Sequence, residues 1–376
     1  MAAPGRPPET VSPVGFLPAL GSGLRALAET GQQSRLVEGY MRPYAEAFGE
    51  VLYFSYLPES LEEFTSDRWL LDRVRVLAPP QPVSRARRAW MMTRTHAAEL
   101  RRCDVLRVFQ ITGVIPALRA KARFGTPYVT TYGFWYAQLS KRGPKRWIKR
   151  EVERRGLREA AAVIATTEEL RARAAEVAAR VELIPNGVDL RLFRPSGVER
   201  SRGRQILYVG RLSPEKNLPT VVEATASAGV SLRLAGGGPE RERLAAQARA
   251  LGAKVEFLEV VEQAKLPAVY ASSDVFVLAS FTEGHPKVLL EAMACGLPCI
   301  ASDCAGNRSL VTDGETGLLF DPHRPEELTE RLRRVLNDPG LAARLGKAGR
   351  ALVAERYDLG ALVQREIALV RSVARG

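Results

Sequence analysis

Apolar runs of about four to six residues recur along the chain, separated by longer stretches in which apolar positions repeat with a helical period. Phe16 to Leu20, Val51 to Tyr56, Val74 to Leu77, Val105 to Phe109, Tyr128 to Thr131 and Ala162 to Ala165 read as strands. Gln33 to Phe48, Arg85 to Arg101, Ile115 to Phe124 and Lys145 to Ala160 read as the helices among them. Strand and helix alternating at this spacing predicts an α/β class with a parallel, doubly wound sheet, because parallel neighbours need a crossover and a helix supplies it. Val181 to Ile184 then leads into the breaker-rich Pro185-Asn186-Gly187-Val188-Asp189, and Pro195 to Gly203 is polar and basic without period. A domain boundary belongs there. The pattern restarts with strands at Ile206 to Val209, Leu232 to Ala235, Val255 to Leu258, Val275 to Leu278 and Cys299 to Ala301. The organisation expected is a tail over 1–13, a first domain over 14–197, a second over 198–358 and a C-terminal helix within 359–376.

The most informative stretch follows the wholly apolar run Val275 to Ala279, which reads as a strand buried on both faces. Gly284 and Pro286 turn the chain, and Val288 to Cys295 makes a helix stopped by Gly296 and Pro298. That helix is apolar nearly all round, yet it carries Glu291, a charge that is costly to bury unless hydrogen bonds reach it. The unpaired amides of its first turn form an anion site, with Glu283 before them and Glu291 two turns on. A phosphate between two carboxylates that accept from hydroxyls describes a nucleotide sugar. The plainer alternative is a buried helix whose glutamate pairs with an arginine. Two further strand ends carry polar or glycine-rich residues, Gly210-Arg-Leu-Ser-Pro-Glu-Lys-Asn217 and Gly236-Gly-Gly-Pro239, and a ligand across the carboxyl ends of the strands would touch all three.

Length and composition sharpen this reading. A chain of 376 residues exceeds what one core usually holds, and 46% apolar with 26% charged residues is ordinary globular composition, excluding a fibre or a disordered chain. Cys103, Cys295, Cys299 and Cys304 have no zinc spacing and read as reduced, buried thiols of a cytoplasmic protein. The proline-rich start lacks the apolar centre of a signal peptide, and no run reaches the roughly 18 apolar residues of a membrane span. The net charge of +13 is concentrated: Arg85 to Arg158 holds 19 Lys and Arg against 4 Asp and Glu. Tryptophans interleave the arginines there, the mixture suited to an anionic membrane surface. Lys141, Arg142, Lys145, Arg146, Lys149 and Arg150 around Trp147 form the expected docking patch, with Arg85, Arg87 and Arg88 near Trp90 as a second. The alternatives are a solvated basic face and a nucleic-acid surface, but no helix-turn-helix, zinc or RNA-binding signature accompanies the charge.

Four ordered motifs, Ile184-Pro-Asn-Gly-Val-Asp189, Gly210 to Asn217, Glu283-Gly-His-Pro-Lys-Val-Leu-Leu-Glu291 with Ala292-Met-Ala-Cys-Gly296, and Asp313-Gly-Glu-Thr-Gly-Leu-Leu319, resemble those of the family 4 glycosyltransferases. The resemblance covers most of Val181 to Phe320. It implies the GT-B fold, two Rossmann-like domains facing across a cleft, with the final helix, around Leu359 to Val373, returning to the first. It implies a retaining transfer of a hexosyl group from a UDP or GDP sugar. The basic stretch, suited to docking at the inner membrane face, points to a lipid-linked or cell-surface glycan as the acceptor. Arg211 and Lys216 would neutralise the diphosphate, and Glu291 would accept from the ribose hydroxyls. Glu283 would stand beside the transferred sugar with the amides of Gly284 and His285, while those of Val288 and Leu289 take a phosphate, and Gly210 and Gly236 line the donor. No Asp-x-Asp occurs, so neither metal nor resident cofactor is implied. The rivals are a silent nucleotide-sugar-binding protein and a GT-B isomerase.

Several positions depart from the family pattern. Val108 to Ile111 and Thr131 to Phe134 lack the histidine frequent there. Glu259 replaces a usual glycine near the base, and Ser309 a common glutamate. His285 replaces a frequent phenylalanine and, with Lys287, bears on sugar preference. His96 reads as structural.

Overall fold

The computed structural model describes residues 13–135, 143–196 and 204–375, with Pro144 and Lys145 described by backbone alone. The chain divides into two compact units, one of Met1–Ala28, Gln33–Ile184 and Val363–Gly376, the other of Glu29–Gln32 and Pro185–Leu362. Among the described residues the first unit has seven strands: β1 (Val14–Leu17), β2 (Val51–Tyr53), β3 (Val74–Val76), β4 (Val105–Val108), β5 (Tyr128–Tyr132), β6 (Ala162–Ala165) and β7 (Val181–Leu183). They form one sheet in the order β3-β2-β1-β4-β5-β6-β7, every neighbouring pair parallel. The second unit contributes β8 (Gln205–Val209), β9 (Ser231–Ala235), β10 (Val255–Leu258), β11 (Val275–Leu278), β12 (Cys299–Ser302) and β13 (Leu318–Phe320). Their order is β10-β9-β8-β11-β12-β13, again all parallel.

Both sheets reverse direction beside their first strand, at β1/β4 and at β8/β11, which is where a doubly wound sheet leaves a crevice at its carboxyl edge. In the second unit the two strands are registered through Ile206–Val275 and Leu207–Phe276, so Tyr208 and Val209 extend past the paired residues on one side and Val277 and Leu278 on the other. Every residue of β1, β4, β6, β11 and β12 is buried, as both-face coverage by helices requires.

The element boundaries differ from the expected ones for local reasons. β1 ends at Leu17 and not at Leu20, because Pro18 has no amide to continue the ladder. The helix expected over Gln33 to Phe48 contains a π-turn, Val37–Met41, just ahead of Pro43, whose missing N–H breaks the regular bond pattern. Arg85 to Arg101 is two helices, Arg85–Thr95 and Ala97–Arg102, parted at His96 with φ −127° and ψ 40°. β13 was not anticipated: three residues between Gly317 and Asp321 are too short to show a period.

Candidate functional site

The loops after β8, β9 and β11 meet at the switch point of the second unit. Gly210, Gly236 and Gly238 have φ of 148°, 134° and 157°, and a Cβ on Gly236 or Gly238 would overlap the carbonyl oxygen of Gly210 or Leu212. Those glycines let the first two loops zip together, through Gly210 N–H to Ala235 O at 2.9 Å and Leu212 N–H to Gly237 O at 2.9 Å. A short 3₁₀ turn, Pro214–Lys216, then points Lys216 across the crevice, where its Nζ lies 2.7 Å from Glu283 Oε1. Both side chains are largely buried, and Ser280 Oγ donates to the same carboxylate oxygen at 2.6 Å. Arg211 is exposed and reaches Glu215 Oε1 at 3.2 Å, while Ser213 Oγ donates to that oxygen at 2.7 Å. Burial alone would raise the Glu215 carboxyl, but the Ser213 hydroxyl, Arg211 and Lys216 together hold it below its ordinary range. The two cations assigned to the diphosphate therefore each rest on a carboxylate.

The loop Ser280 to Pro286 is held from behind. Ser302 Oγ donates to Ser280 O at 2.5 Å, and Asn307 Nδ2 donates to Ser302 O at 2.9 Å. Asn186 Nδ2 donates to His285 O at 2.7 Å, which ties the Pro-Asn-Gly-Val-Asp motif to this loop. The His285 ring is buried against Tyr357, with centroids 5.4 Å apart, and burial pushes its pKa down to about 3, so it stays neutral. The helix Lys287–Ala294 follows. Its first amide bonded back along the chain is that of Leu290, to Pro286 O, so the amides of Val288 and Leu289 precede that bond as an anion site requires. Glu291 is wholly buried, and its Oε2 accepts from Tyr270 Oη at 3.0 Å. The Tyr270 hydroxyl is raised well above its ordinary pKa by burial and by the Glu291 charge. Tyr270 lies 21 residues before Glu291, and no local sequence signal joins them.

Other positions lie further out. Glu259 is exposed, 3.2 Å from Arg241 Nη1, and Ser309 Oγ donates to Gly306 O at 2.6 Å. All four cysteines are buried free thiols. Among the described residues no three His, Cys, Asp or Glu side chains stand together as a metal site, and no helix is long and apolar enough to cross a membrane.

The corresponding switch point of the first unit is different. Phe109 packs edge-on to Phe16 and Tyr40, at 4.8 and 5.4 Å between centroids. Beneath it Arg107 is 2% exposed and forms a two-pronged pair with Glu366, at 2.7 and 3.0 Å. Tyr44 Oη donates to Glu366 Oε1 at 2.7 Å, and Arg107 Nη2 donates to Thr131 Oγ1 at 2.7 Å. The pair locks the helix Leu359–Arg371 through its Glu366 and escaped the sequence reading; its one signal is an arginine inside the apolar strand Val-Leu-Arg-Val. His96 is structural, its Nε2 accepting from Arg88 Nη2 at 3.1 Å while its ring meets Phe54.

Of the basic patch, Lys141 and Arg142 lie outside the described residues, as does the side chain of Lys145. Trp147 is 70% exposed and Ile148 55%, with Lys149 and Arg150 exposed beside them and Arg146 half-buried. The second patch needs a correction. Arg88 is buried, donating to Ser55 O, Leu77 O and His96, so it is spent inside the unit. Trp90 is 60% exposed, with the Arg119 guanidinium 3.8 Å above its ring.

Two parallel, doubly wound sheets define a GT-B fold, and solved structures agree. Sucrose-phosphate synthase from Thermosynechococcus elongatus superposes with a TM-score of 0.80 at 23% identity, over 96% of this chain and 99% of that one. Anabaena HepE in complex with UDP-glucose gives 0.76 at 20% identity, over 96% and 99%. Two family profiles divide most of the chain between them, "Glycosyl transferase 4-like domain" over residues 21–187 and "Glycosyl transferases group 1" over residues 191–352. The chain belongs to the family 4 glycosyltransferases. Among relatives, the D-inositol 3-phosphate glycosyltransferase of Acidothermus cellulolyticus is 35% identical over 190 residues, 44% of this chain and 42% of that protein. The GDP-mannose-dependent alpha-mannosyltransferase of Mycobacterium tuberculosis is 34% identical over 255 residues, 62% of this chain and 65% of that protein. The matching part of the chain thus spans less than two thirds of either relative.

Proposed function

We propose that the protein transfers a hexosyl group from a GDP or UDP sugar to a lipid-linked or cell-surface glycan, with retention at the anomeric carbon and with neither metal ion nor resident cofactor. The observation that carries this reading is the meeting of Lys216 and Glu283 at the second switch point, 2.7 Å apart, where the loops after β8 and β11 come together. A diphosphate on those amides offers Lys216 more negative charge than Glu283 does. Donor binding would move the ammonium to phosphate and leave Glu283 for the sugar hydroxyls, with the amides of Gly284 and His285. Glu291, steadied by Tyr270, accepts from the ribose, and Gly210 and Gly236 let the ligand approach the backbone. In the transfer the bond from the anomeric carbon to the diphosphate oxygen breaks. The acceptor oxygen bonds that carbon from the same face and its proton passes to the departing phosphate, whose charge Arg211 and Lys216 stabilise.

The mycobacterial relative is named for GDP-mannose and the HepE complex contains UDP-glucose, so these two donors come first in any test. The exposed Trp147 and Ile148 among cations support docking on an anionic membrane, where a lipid-linked acceptor would be found at the inner face. The first experiment is thermal stabilisation across GDP-, UDP- and ADP-sugars, followed by release of nucleoside diphosphate without acceptor. Stabilisation with slow release supports the transferase. Stabilisation with no turnover under any acceptor supports a silent binder, and a changed sugar on an intact nucleotide supports an isomerase.

A further inference from the structure

The loop that carries Glu283 is backed on two sides by residues to which no ligand role has been assigned. Gly306, in the short helix Ala305–Arg308, lies so close that a Cβ there would come 2.5 Å from Glu283 O and 2.6 Å from Gly284 O. Real Cβ atoms do not approach backbone oxygens that closely, and its φ is not positive, so the glycine is needed for space and not for conformation. From the other side Asn186 Nδ2 holds His285 O at 2.7 Å. Residue 286 is proline, so that peptide has no N–H and its carbonyl is its one polar handle.

Every described peptide bond here is trans, and in a trans peptide the C=O and the following N–H point in opposite directions. An oxygen of Gly284 lodged against Gly306 therefore turns the His285 N–H away from that helix. The Asn186 bond fixes the next peptide plane, and the buried His285 ring against Tyr357 fixes the Cα between the two. Three contacts from three separate segments thus determine one donor direction. Ser280 O and the Glu283 carboxylate, by contrast, are held by Ser302 Oγ and Lys216 Nζ.

We infer that Gly306 and Asn186 are positioning residues that aim the Gly284 and His285 amides, and that they thereby set how much better the site holds a nucleotide sugar than the bare nucleotide. The inference rests on the proposed donor site, in which those amides face the sugar while Arg211, Lys216 and the Val288 and Leu289 amides face the diphosphate. It separates two parts of one ligand, and the separation is measurable.

The experiment is isothermal titration of wild type, Gly306→Ala and Asn186→Ala with GDP, GDP-mannose, UDP and UDP-glucose, with the thermal midpoint of each variant as the folding control. The expected result is nucleoside diphosphate affinity close to wild type and a ratio of sugar-nucleotide to nucleotide affinity reduced about tenfold, the worth of one or two misdirected neutral hydrogen bonds. In turnover the same variants should raise KM for the sugar nucleotide more than they lower kcat. An unchanged ratio, or an equal loss for nucleotide and sugar nucleotide, would overturn the inference and leave the donor site standing. Wild type that binds none of the four probes, or a Lys216→Ala variant that binds them as well as wild type, would overturn the donor site itself. Asn186→Ala fills no space, so it keeps the test decisive if Gly306→Ala does not fold.

Discussion

The two units carry the same sheet plan and opposite kinds of switch point. In the second, polar groups gather where the strand-end loops meet: the largely buried Lys216 and Glu283, the exposed Arg211 and a first turn of amides, held by glycines and side chains behind them. In the first, the charge is inside, with Arg107 and Glu366 sealed under Phe109 and satisfied by Tyr44 and Thr131. Polar groups of the first unit hold the fold together, whereas those of the second are the ones that, on the proposed function, would exchange with a ligand. The difference teaches how to sort buried charges: a pair whose partners are all met inside one core is structural, while a pair that joins two strand-end loops is the one to test as a ligand's placeholder.

The sharpest way to break the comparison is to remove one buried polar group from each unit. Glu366→Ala should destabilise the protein by about 3–5 kcal/mol, as expected when a buried arginine loses its counter-ion. Denaturant unfolding measures this, and a loss below 1 kcal/mol would mean the pair is not the lock described. Tyr270→Phe, which takes a hydroxyl from the Glu291 carboxylate, should cost about 1.5–3 kcal/mol of stability. It should also weaken nucleotide binding, whereas Glu366→Ala should not do so in molecules that remain folded.

His285 supplies a pH signature. Its folded pKa is depressed to about 3 from an ordinary 6.5, so the unfolded chain binds the proton that the folded one refuses. Its contribution is therefore complete above about pH 6.5 and falls by about 1.4 kcal/mol per pH unit as the solution is acidified towards pH 3. His96 is depressed too, by burial and by Arg88, and adds to the slope. The difference between wild type and His285→Phe isolates the first contribution; equal slopes in the two would show that the ring is not buried neutral.

How much of this was legible in the sequence follows from the same contrast. β11 and the helix after it could be read because Val-Phe-Val-Leu and the residues around Glu291 are apolar without interruption, and all are buried. The cation-bearing loop was legible because its residues are contiguous, from Gly210 to Lys216. Contacts across sequence were not. Glu366 is 259 residues from Arg107, and nothing near either names the other. Gly306 reads locally as one more helix-start glycine, and only its approach to the Glu283 carbonyl gives it a task. Arg88 was grouped with its basic neighbours because charge counts ignore which face a side chain takes; the strand-end carbonyls of Ser55 and Leu77 claim it.

The smallest effect per side chain concerns the exposed cluster at Trp147. Neutralising Arg146, Lys149 and Arg150 together should weaken binding to vesicles containing anionic lipid by about 1 kcal/mol per charge at low salt, with no binding to neutral vesicles in either protein. Unchanged binding would make the cluster a solvated face.

The central claim, that the second switch point transfers a sugar from a nucleoside diphosphate, is tested most directly by measuring nucleoside diphosphate release from GDP-mannose and UDP-glucose by wild type and by Lys216→Ala. The account predicts measurable release by wild type from at least one donor, with or without added acceptor. It predicts a loss of roughly 2–4 kcal/mol in the barrier for the variant, the range for one positioned electrostatic donor. Full activity in Lys216→Ala, or no release from either donor by wild type, would contradict it.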